Sequence, residues 1–358
     1  ADLAHIEAVI DEEIGKLLQT GPTQAEIDKN IVQVVSGEIR GLQSAASKAG
    51  TLATWETYTG NGAGWKESIK RLEAATPATV RDAAQRWLTK GSYTLTVMPF
   101  GDPEASGQTV DRSKVPEPGS IADVSFPKFE TATLSNGIKV MLAERHEAPL
   151  VSVRMMLDTG YPADLSTVKD GLGGLTANLL DEGTTTRSAL QIADELDRLG
   201  AAVLVGGGGE LTTVEMSSLT VTLDQVMAIW ADVIRNPAFA DADFKRLQAQ
   251  QVQALQQGMR EPNTIGSRVM SKILWGAEHP YGRLVPPAEV QALTPADTKA
   301  FHKQWFGPND ATLFVVGDTT MAQIKPNLEA ALAGWANAPG KRQQVANGAR
   351  PSRPAVYL

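Results

Sequence analysis

A unit of about 217 residues recurs in this chain, and the recurrence limits the folds open to it more than any other feature. Thr76-Pro77-Ala78 returns as Thr294-Pro295-Ala296, Trp87 as Trp305, and Gly101-Asp102 as Gly317-Asp318. Glu26-Ile27 is likewise matched by Asp243-Phe244. Four matches in order at nearly one offset indicate duplication of a structural unit. The 358 residues then hold one whole copy and the later part of another. If the complete copy starts near Pro127, about 90 residues of the first copy are expected to lie outside the chain. Pro354-Ala355-Val356-Tyr357-Leu358 reads as the opening of a further strand. The chain is therefore expected to be an interior segment of a larger protein.

The local patterns fit that division. Ile6, Ile10, Ile14 and Leu17 or Leu18 recur at helical spacing up to the turn signal Gly21-Pro22, and Thr23 with Glu26 makes a capping box for a second helix. A helix opens at Thr76 with Pro77 in its first turn and runs to about Leu88, because proline there loses no hydrogen bond. Alternation from Ser92 to Met98 predicts a strand. The proline- and glycine-bearing stretch that follows reads as a linker. Beyond it, Thr131–Leu134 and Ile138–Leu142 flank Asn136-Gly137, a pair that supplies the positive φ angles of a tight hairpin turn. Strands are predicted at Leu150–Leu157, Ala202–Val205, Leu211–Leu219 and Thr312–Val316. Helices are predicted at Leu172–Asp181 and Ser188–Leu199, and from Leu223 to about Phe306 with breaks at Asn236-Pro237, Pro262 and His279-Pro280; a last helix closes the copy.

Composition excludes several function classes. With no cysteine there is no disulfide framework, thiolate zinc site, iron–sulfur cluster or cysteine nucleophile. The net charge of -8 is spread without a basic stripe, which argues against nucleic acid as a partner. No apolar run reaches the length of a membrane span. The four histidines, His5, His146, His279 and His302, include no pair three to five residues apart, as two zinc ligands on one helix would need.

Several segments follow one another in a familiar order: Leu134-Ser135-Asn136-Gly137-Ile138-Lys139-Val140, Asp158-Thr159-Gly160, Gly171-Leu172 leading to Glu182-Gly183-Thr184, and His279-Pro280-Tyr281-Gly282-Arg283. In this order and spacing the chain resembles the pitrilysin/insulinase family of zinc metallopeptidases. The resemblance implies an α+β fold of repeated LuxS/metallohydrolase-like domains, each a largely antiparallel sheet of about six strands covered by helices. It implies four such domains in the parent protein, paired into two halves around a peptide-sized chamber. On that map residues 1–100 are the later part of a preceding domain, 101–126 a linker, 127–340 a complete domain, and 341–358 a linker with the first strand of the next.

Active members of that family carry H-x-x-E-H on the helix before the Gly-Thr pair. The two histidines grip zinc from one helical face, and the glutamate takes a proton from the metal-bound water. The matching helix here reads Gly174-Leu175-Thr176-Ala177-Asn178. Gly174 and Asn178 stand where the histidines would be, and Ala177 where the base would be. A methyl group accepts no proton, and an amide is a poor zinc donor. The family's remaining ligand, a glutamate, would fall within Phe244–Gln257, which contains neither Glu nor His. The domain is therefore expected to hold no metal and to be non-catalytic, with zinc expected in an upstream domain of the parent protein.

Blander readings account for the other conspicuous residues. Leu172, Leu175 and Leu179 form a helical stripe that explains their helix as core packing. Gly206-Gly207-Gly208-Gly209 lacks the Lys-Ser/Thr of a phosphate loop and reads as a glycine-rich edge strand lying between strands. As such it is a candidate chamber surface or peptide-binding edge. His279 reads as a turn residue, His146 as a solvated loop residue, and the seven tryptophans as core. The expected function is that of a non-catalytic segment of a zinc metalloendopeptidase, forming chamber wall and inter-half contacts. Its partners are the remaining domains of the same polypeptide and a peptide or unfolded protein substrate, without nucleic acid or a membrane span. The alternative is a structural or partner subunit of a relative with no peptidase activity. The lack of cysteine and the resemblance to secreted bacterial members favour a periplasmic location.

Overall fold

The repeated Thr-Pro pair begins a helix in both copies for one physical reason. Thr76 and Thr294 accept a hydrogen bond from the backbone of Thr79 and Asp297, whose side chains bond back, while Pro77 and Pro295 occupy the first turn. These boxes satisfy amides that no helical carbonyl reaches. The computed structural model describes residues 3–95 and 128–341 apart from 161, 162, 164–168, 278 and 310. The linker at 101–126, Gly101-Asp102 and the tail from Pro354 lie outside the described residues.

The chain divides into two compact units, Ala1–Asp28 with Lys70–Lys128 and Lys29–Ile69 with Phe129–Leu358. In the first, α1 (Leu3–Thr20) ends at Gly21, whose φ of 71° needs glycine. Thr23 and Glu26 form the expected box, with the Thr23 amide donating to the Glu26 carboxylate at 2.7 Å. This box opens α2 (Gln24–Gly41), which passes into the second unit at Lys29. Helix α5 (Pro77–Trp87) crosses α1, and Gln85 Nε2 donates to Leu18 O at 2.8 Å. The strand expected over 92–98 is not formed in its described part. Residues 92–95 are irregular, no strand pairs with them, and Tyr93 is 88% exposed; residues 96–98 lie outside the described residues.

The second unit holds the rest of α2, α3 (Ala45–Thr59), most of α4 (Gly64–Glu73) and a six-stranded sheet. The strands are β1 (Glu130–Thr133), β2 (Lys139–Glu144), β3 (Leu150–Leu157), β4 (Ala202–Gly208), β5 (Leu211–Leu219) and β6 (Thr312–Gly317), in the order β1-β2-β6-β3-β5-β4. Every pairing is antiparallel except β2 with β6. The β1–β2 turn differs from the expected one. Gly137 alone takes a positive φ, 92°, and Asn136 acts instead through its side chain, accepting from Ile138 N at 3.3 Å, an Asx-type turn.

Strand alternation sends Val153, Met155, Val214, Met216, Leu313 and Val315 into the core, as a two-residue period requires. Across the other face, Met141, Phe314, Arg154, Glu215 and Leu204 stand in register, with Arg154 Nε 2.8 Å from Glu215. The inner face is covered by helices α6 (Leu172–Asn178), α7 (Ala189–Arg198), α8 (Leu223–Arg235), α9 (Asp241–Gly258), α12 (Pro295–Trp305) and α13 (Met321–Ala331). Between α9 and α12 lie α10 (Pro262–Trp275) and the short α11 (Pro287–Gln291). Trp230 on α8 is fully buried and donates to Val214 O of β5 at 3.2 Å. The tryptophans are not uniformly core: Trp230 and Trp305 are buried, whereas Trp87 is 67% exposed and Trp275 37%.

Within this unit α2 is seated on the turn between α7 and β4. Lys29 Nζ lies 2.8 Å from Asp194 and 2.7 Å from Asp197, and Arg40 donates to Gly200 O. Gly200 has φ 61°, and a Cβ there would come 2.9 Å from Ser36 and 3.0 Å from Val32. Both its conformation and its contact exclude a side chain.

Candidate functional site

Helix α6 carries Gly174, Ala177 and Asn178, the positions that the resemblance assigns to a zinc site, and three leucines dictate its placement. Leu172, Leu175 and Leu179 are at most 2% exposed, and within the helix only Gly174 and Asn178 are not buried. Its N-terminus is set by Gly171 at φ 79°, without a side-chain cap. The preceding residue, Asp170, is buried and paired with Arg283 Nε at 2.6 Å.

The three motif positions meet different surroundings. Asn178 is exposed and Gly174 half-buried, and a Cβ on Gly174 would have nothing within 4 Å. Ala177 is fully buried. The space above it is occupied by β4: a Cβ on Gly207 would come within 2.3 Å of the Ala177 Cβ and 3.6 Å of the Gly174 Cα. Glycine on the strand and alanine on the helix thus let two backbones approach to contact, the use of glycine within strands. A carboxylate at position 177 would have to enter that contact and lose its water.

The later helix, α9, spends its polar side chains on packing. Gln248 Nε2 donates to Val290 O at 2.9 Å and Leu293 O at 2.9 Å, and Arg246 pairs with Glu182 at 2.6 Å. Gln251 Nε2 and Val290 Cγ2 would each lie 3.1 Å from a Cβ on Gly171. No Glu or His is available on α9. Among the described residues no three His, Asp or Glu side chains are placed to hold a metal ion. A site of two histidines and a glutamate does not fit these residues.

Three of the histidines serve other purposes. His279 Nδ1 accepts from Tyr281 N at 3.1 Å, and its ring stacks on Trp275 at 4.9 Å; Tyr281 in turn bonds Glu210 at the β4–β5 turn. His302 is half-buried, with Nε2 donating to Ile234 O at 2.8 Å, and the burial of its ring holds its imidazole below the usual value. His146 is exposed, as a loop histidine should be, yet it is not merely solvated. Its Nδ1 lies 2.7 Å from Asp318 and its Nε2 3.4 Å from Glu144, and these carboxylates, Asp318 first, raise its pKa. The repeated Gly-Asp pair thereby acquires a role. A Cβ on Gly317 would lie 2.1 Å from Leu150 O, and Asp318 N donates to that carbonyl at 2.8 Å.

Gly206–Gly208 lie within β4, extending it past the expected end at Val205, and only Gly209 is in the turn, at φ 62°. β4 is the last strand in the sheet order. The aromatic contacts of Trp275, His279 and Tyr281 escaped sequence reasoning, as did the seat of α2 on Gly200. Lys29 and its aspartates are about 165 residues apart, beyond any periodicity argument.

Comparison with known proteins agrees with this architecture. The family description "Insulinase (Peptidase family M16)" matches residues 139–275, and "Peptidase M16 inactive domain" matches residues 292–356. The chain belongs to the pitrilysin/insulinase (M16) family of zinc proteases. An uncharacterized zinc protease of Rickettsia felis is 28% identical over 118 residues, covering 33% of this chain and 28% of that protein. Cytochrome b-c1 complex subunit 1 of Rattus norvegicus is 24% identical over 122 residues, 34% of this chain and 25% of that one. In fold, the chain is similar to the peptidase M16 inactive domain of Pseudomonas fluorescens, with TM-score 0.57 and 23% identity over 61% of this chain and 54% of that one. The chain spans about a quarter to a half of the length of the relatives it matches.

Proposed function

We propose that the second unit is a non-catalytic domain of a zinc metalloendopeptidase, forming a wall of the peptide chamber and contacts between its halves. Peptide-bond hydrolysis by zinc-activated water would belong to an upstream domain of the same polypeptide. The observation that carries the reading is the contact of Gly207 with Ala177. It closes position 177 beneath the backbone of β4, which supports the reading, as do Gly174 and Asn178, residue types that do not hold zinc. The glycines of β4 support a finer reading. An edge strand without side chains on one stretch accepts an extended peptide through main-chain hydrogen bonds, and Gly206–Gly208 are such a stretch.

Equilibrium dialysis of the chain against zinc, with metal counted per protein, tests the first part. Less than about 0.1 equivalent is expected at micromolar zinc, together with no cleavage of an unfolded protein substrate. One equivalent bound tightly, and lost in Asn178→Ala, would overturn the assignment. For the edge, Gly206→Pro removes one strand N–H and is expected to weaken binding of an extended peptide. Unchanged affinity of a folded Gly206→Pro protein removes the edge from the proposal.

A second reading rests on the similarity to a cytochrome b-c1 subunit: the parent protein could be a structural subunit with no peptidase activity. An H-x-x-E-H motif with a later glutamate in the parent's upstream domain decides for the peptidase, and its absence for the subunit.

A further inference from the structure

The sequence contains three Asn-Gly pairs, at 61–62, 136–137 and 347–348, and the first two lie within the described residues. In such a pair the backbone nitrogen of the glycine can attack the side-chain amide of the asparagine, because glycine has no Cβ to hinder the approach. What decides the rate is the surroundings.

The two described pairs are folded alike around the asparagine. Asn61 Oδ1 accepts from Ala63 N at 3.0 Å, and Asn136 Oδ1 accepts from Ile138 N at 3.3 Å, so each side-chain amide is turned back over its own backbone. They differ in what receives the glycine proton. Gly137 N donates to a carbonyl, Leu134 O, at 2.9 Å. Gly62 N donates to a carboxylate, Glu56 Oε2, at 2.8 Å. Helix α3 delivers that carboxylate: it ends at Gly60, whose φ is 67° and whose N–H donates to Glu56 O at 2.9 Å. The chain then turns back along the helix, so that a Cβ on Gly62 would lie 3.4 Å from Leu52 O and 3.5 Å from Glu56 Oε2. Asn61 itself is exposed to water.

From this contrast we infer that Asn61 is a site of self-catalysed deamidation, with Glu56 as its general base. Glu56 takes the Gly62 amide proton while the nitrogen bonds to Asn61 Cγ, and the Ala63 N–H carries part of the negative charge that gathers on Oδ1. The Cγ–Nδ2 bond then breaks, Glu56 returns the proton to the departing nitrogen, and ammonia leaves a cyclic imide behind. Water opens the imide at either carbonyl, giving aspartate or isoaspartate at position 61. Water is the only co-reactant. The aspartate keeps the bond from Ala63 N and brings a negative charge to the start of α4, where Gly64 N donates to Asn61 O at 2.9 Å and the helix dipole favours an anion. The isoaspartate instead adds a methylene to the backbone between α3 and α4.

Peptide mapping by mass spectrometry of the folded chain, stored at neutral pH and physiological temperature, follows each asparagine separately. Asn61 is expected to convert at least about tenfold faster than Asn136, with aspartate and isoaspartate both among the products. Glu56→Gln keeps an acceptor for Gly62 N but removes the base, and is expected to slow Asn61 about tenfold while leaving Asn136 unchanged. Glu56→Asp, whose carboxylate is drawn back by one methylene, replaces it if the first variant does not fold, and the same slowing is expected. In urea nothing holds Glu56 against Gly62, so the two asparagines of the unaltered chain should convert at equal rates. Equal rates in the folded chain would overturn the proposal. So would an unchanged rate at Asn61 in a folded Glu56 variant, or aspartate as the sole product, since direct hydrolysis forms no imide.

Discussion

Gly207 and Ala177 share one space, and each residue is explained only by the other. Adding a methyl group at position 207 places it 2.3 Å from the Ala177 methyl, so Gly207→Ala is expected to destabilise the fold by about 2 kcal/mol through overpacking. Ala177→Gly alone should cost about 1 kcal/mol in helix propensity. In the double variant the two losses should not add, and a denaturant-unfolding cycle that finds simple additivity would show that the two sites do not touch. Histidine gives a second prediction at this scale. His302 is held neutral by burial, so its contribution is present above the unfolded value of about 6.5 and lost as pH falls through the lower folded value. The melting temperature should drop between pH 7.5 and 5, and the drop should shrink in His302→Gln. His146 behaves in the opposite sense, its pKa raised first by Asp318. Asp318→Asn should bring its titration, followed by NMR, back toward lower pH.

At the scale of elements, the parts legible in the sequence were those fixed by local chemistry. β3 and β5 run over Leu150–Leu157 and Leu211–Leu219 as alternation predicts, and the capping box at Thr23 and the helix opening at Thr76 form where their residues place them. α6 ends at Asn178 rather than Asp181, since its last turn is tightened by Leu179 and Leu180 bonding three residues back. The 92–95 segment shows the limit of alternation, because a strand needs a neighbour that periodicity does not supply. The expectation of a vacant zinc motif rests on residue identity alone; the contact of Gly207 with Ala177 was not legible, being one between distant segments. The seat of α2 belongs to the same class. Gly200→Val should collide with Val32 and Ser36, and hydrogen exchange over residues 29–41 is expected to quicken while that of β3 stays slow. Unchanged exchange in α2 would show that Gly200 is not its seat.

At the scale of the whole molecule, the sheet order carries a consequence for synthesis. β6 lies between β2 and β3, although about 155 residues separate it in sequence from β3. Until Thr312–Gly317 leaves the ribosome, β1-β2 and β3-β5-β4 are two separate ribbons, each with an unsatisfied edge facing where β6 will go. Edges of that kind pair with whatever strand is nearest, and long-range closure is slow. The last strand to be made is the one that joins the sheet. A nascent chain halted before residue 312 is therefore expected to engage a chaperone or aggregate, and one halted well beyond residue 331 to resist protease. The parallel β2–β6 pair makes completion of this domain an event of late translation, with α13 closing over a sheet that has only just become continuous.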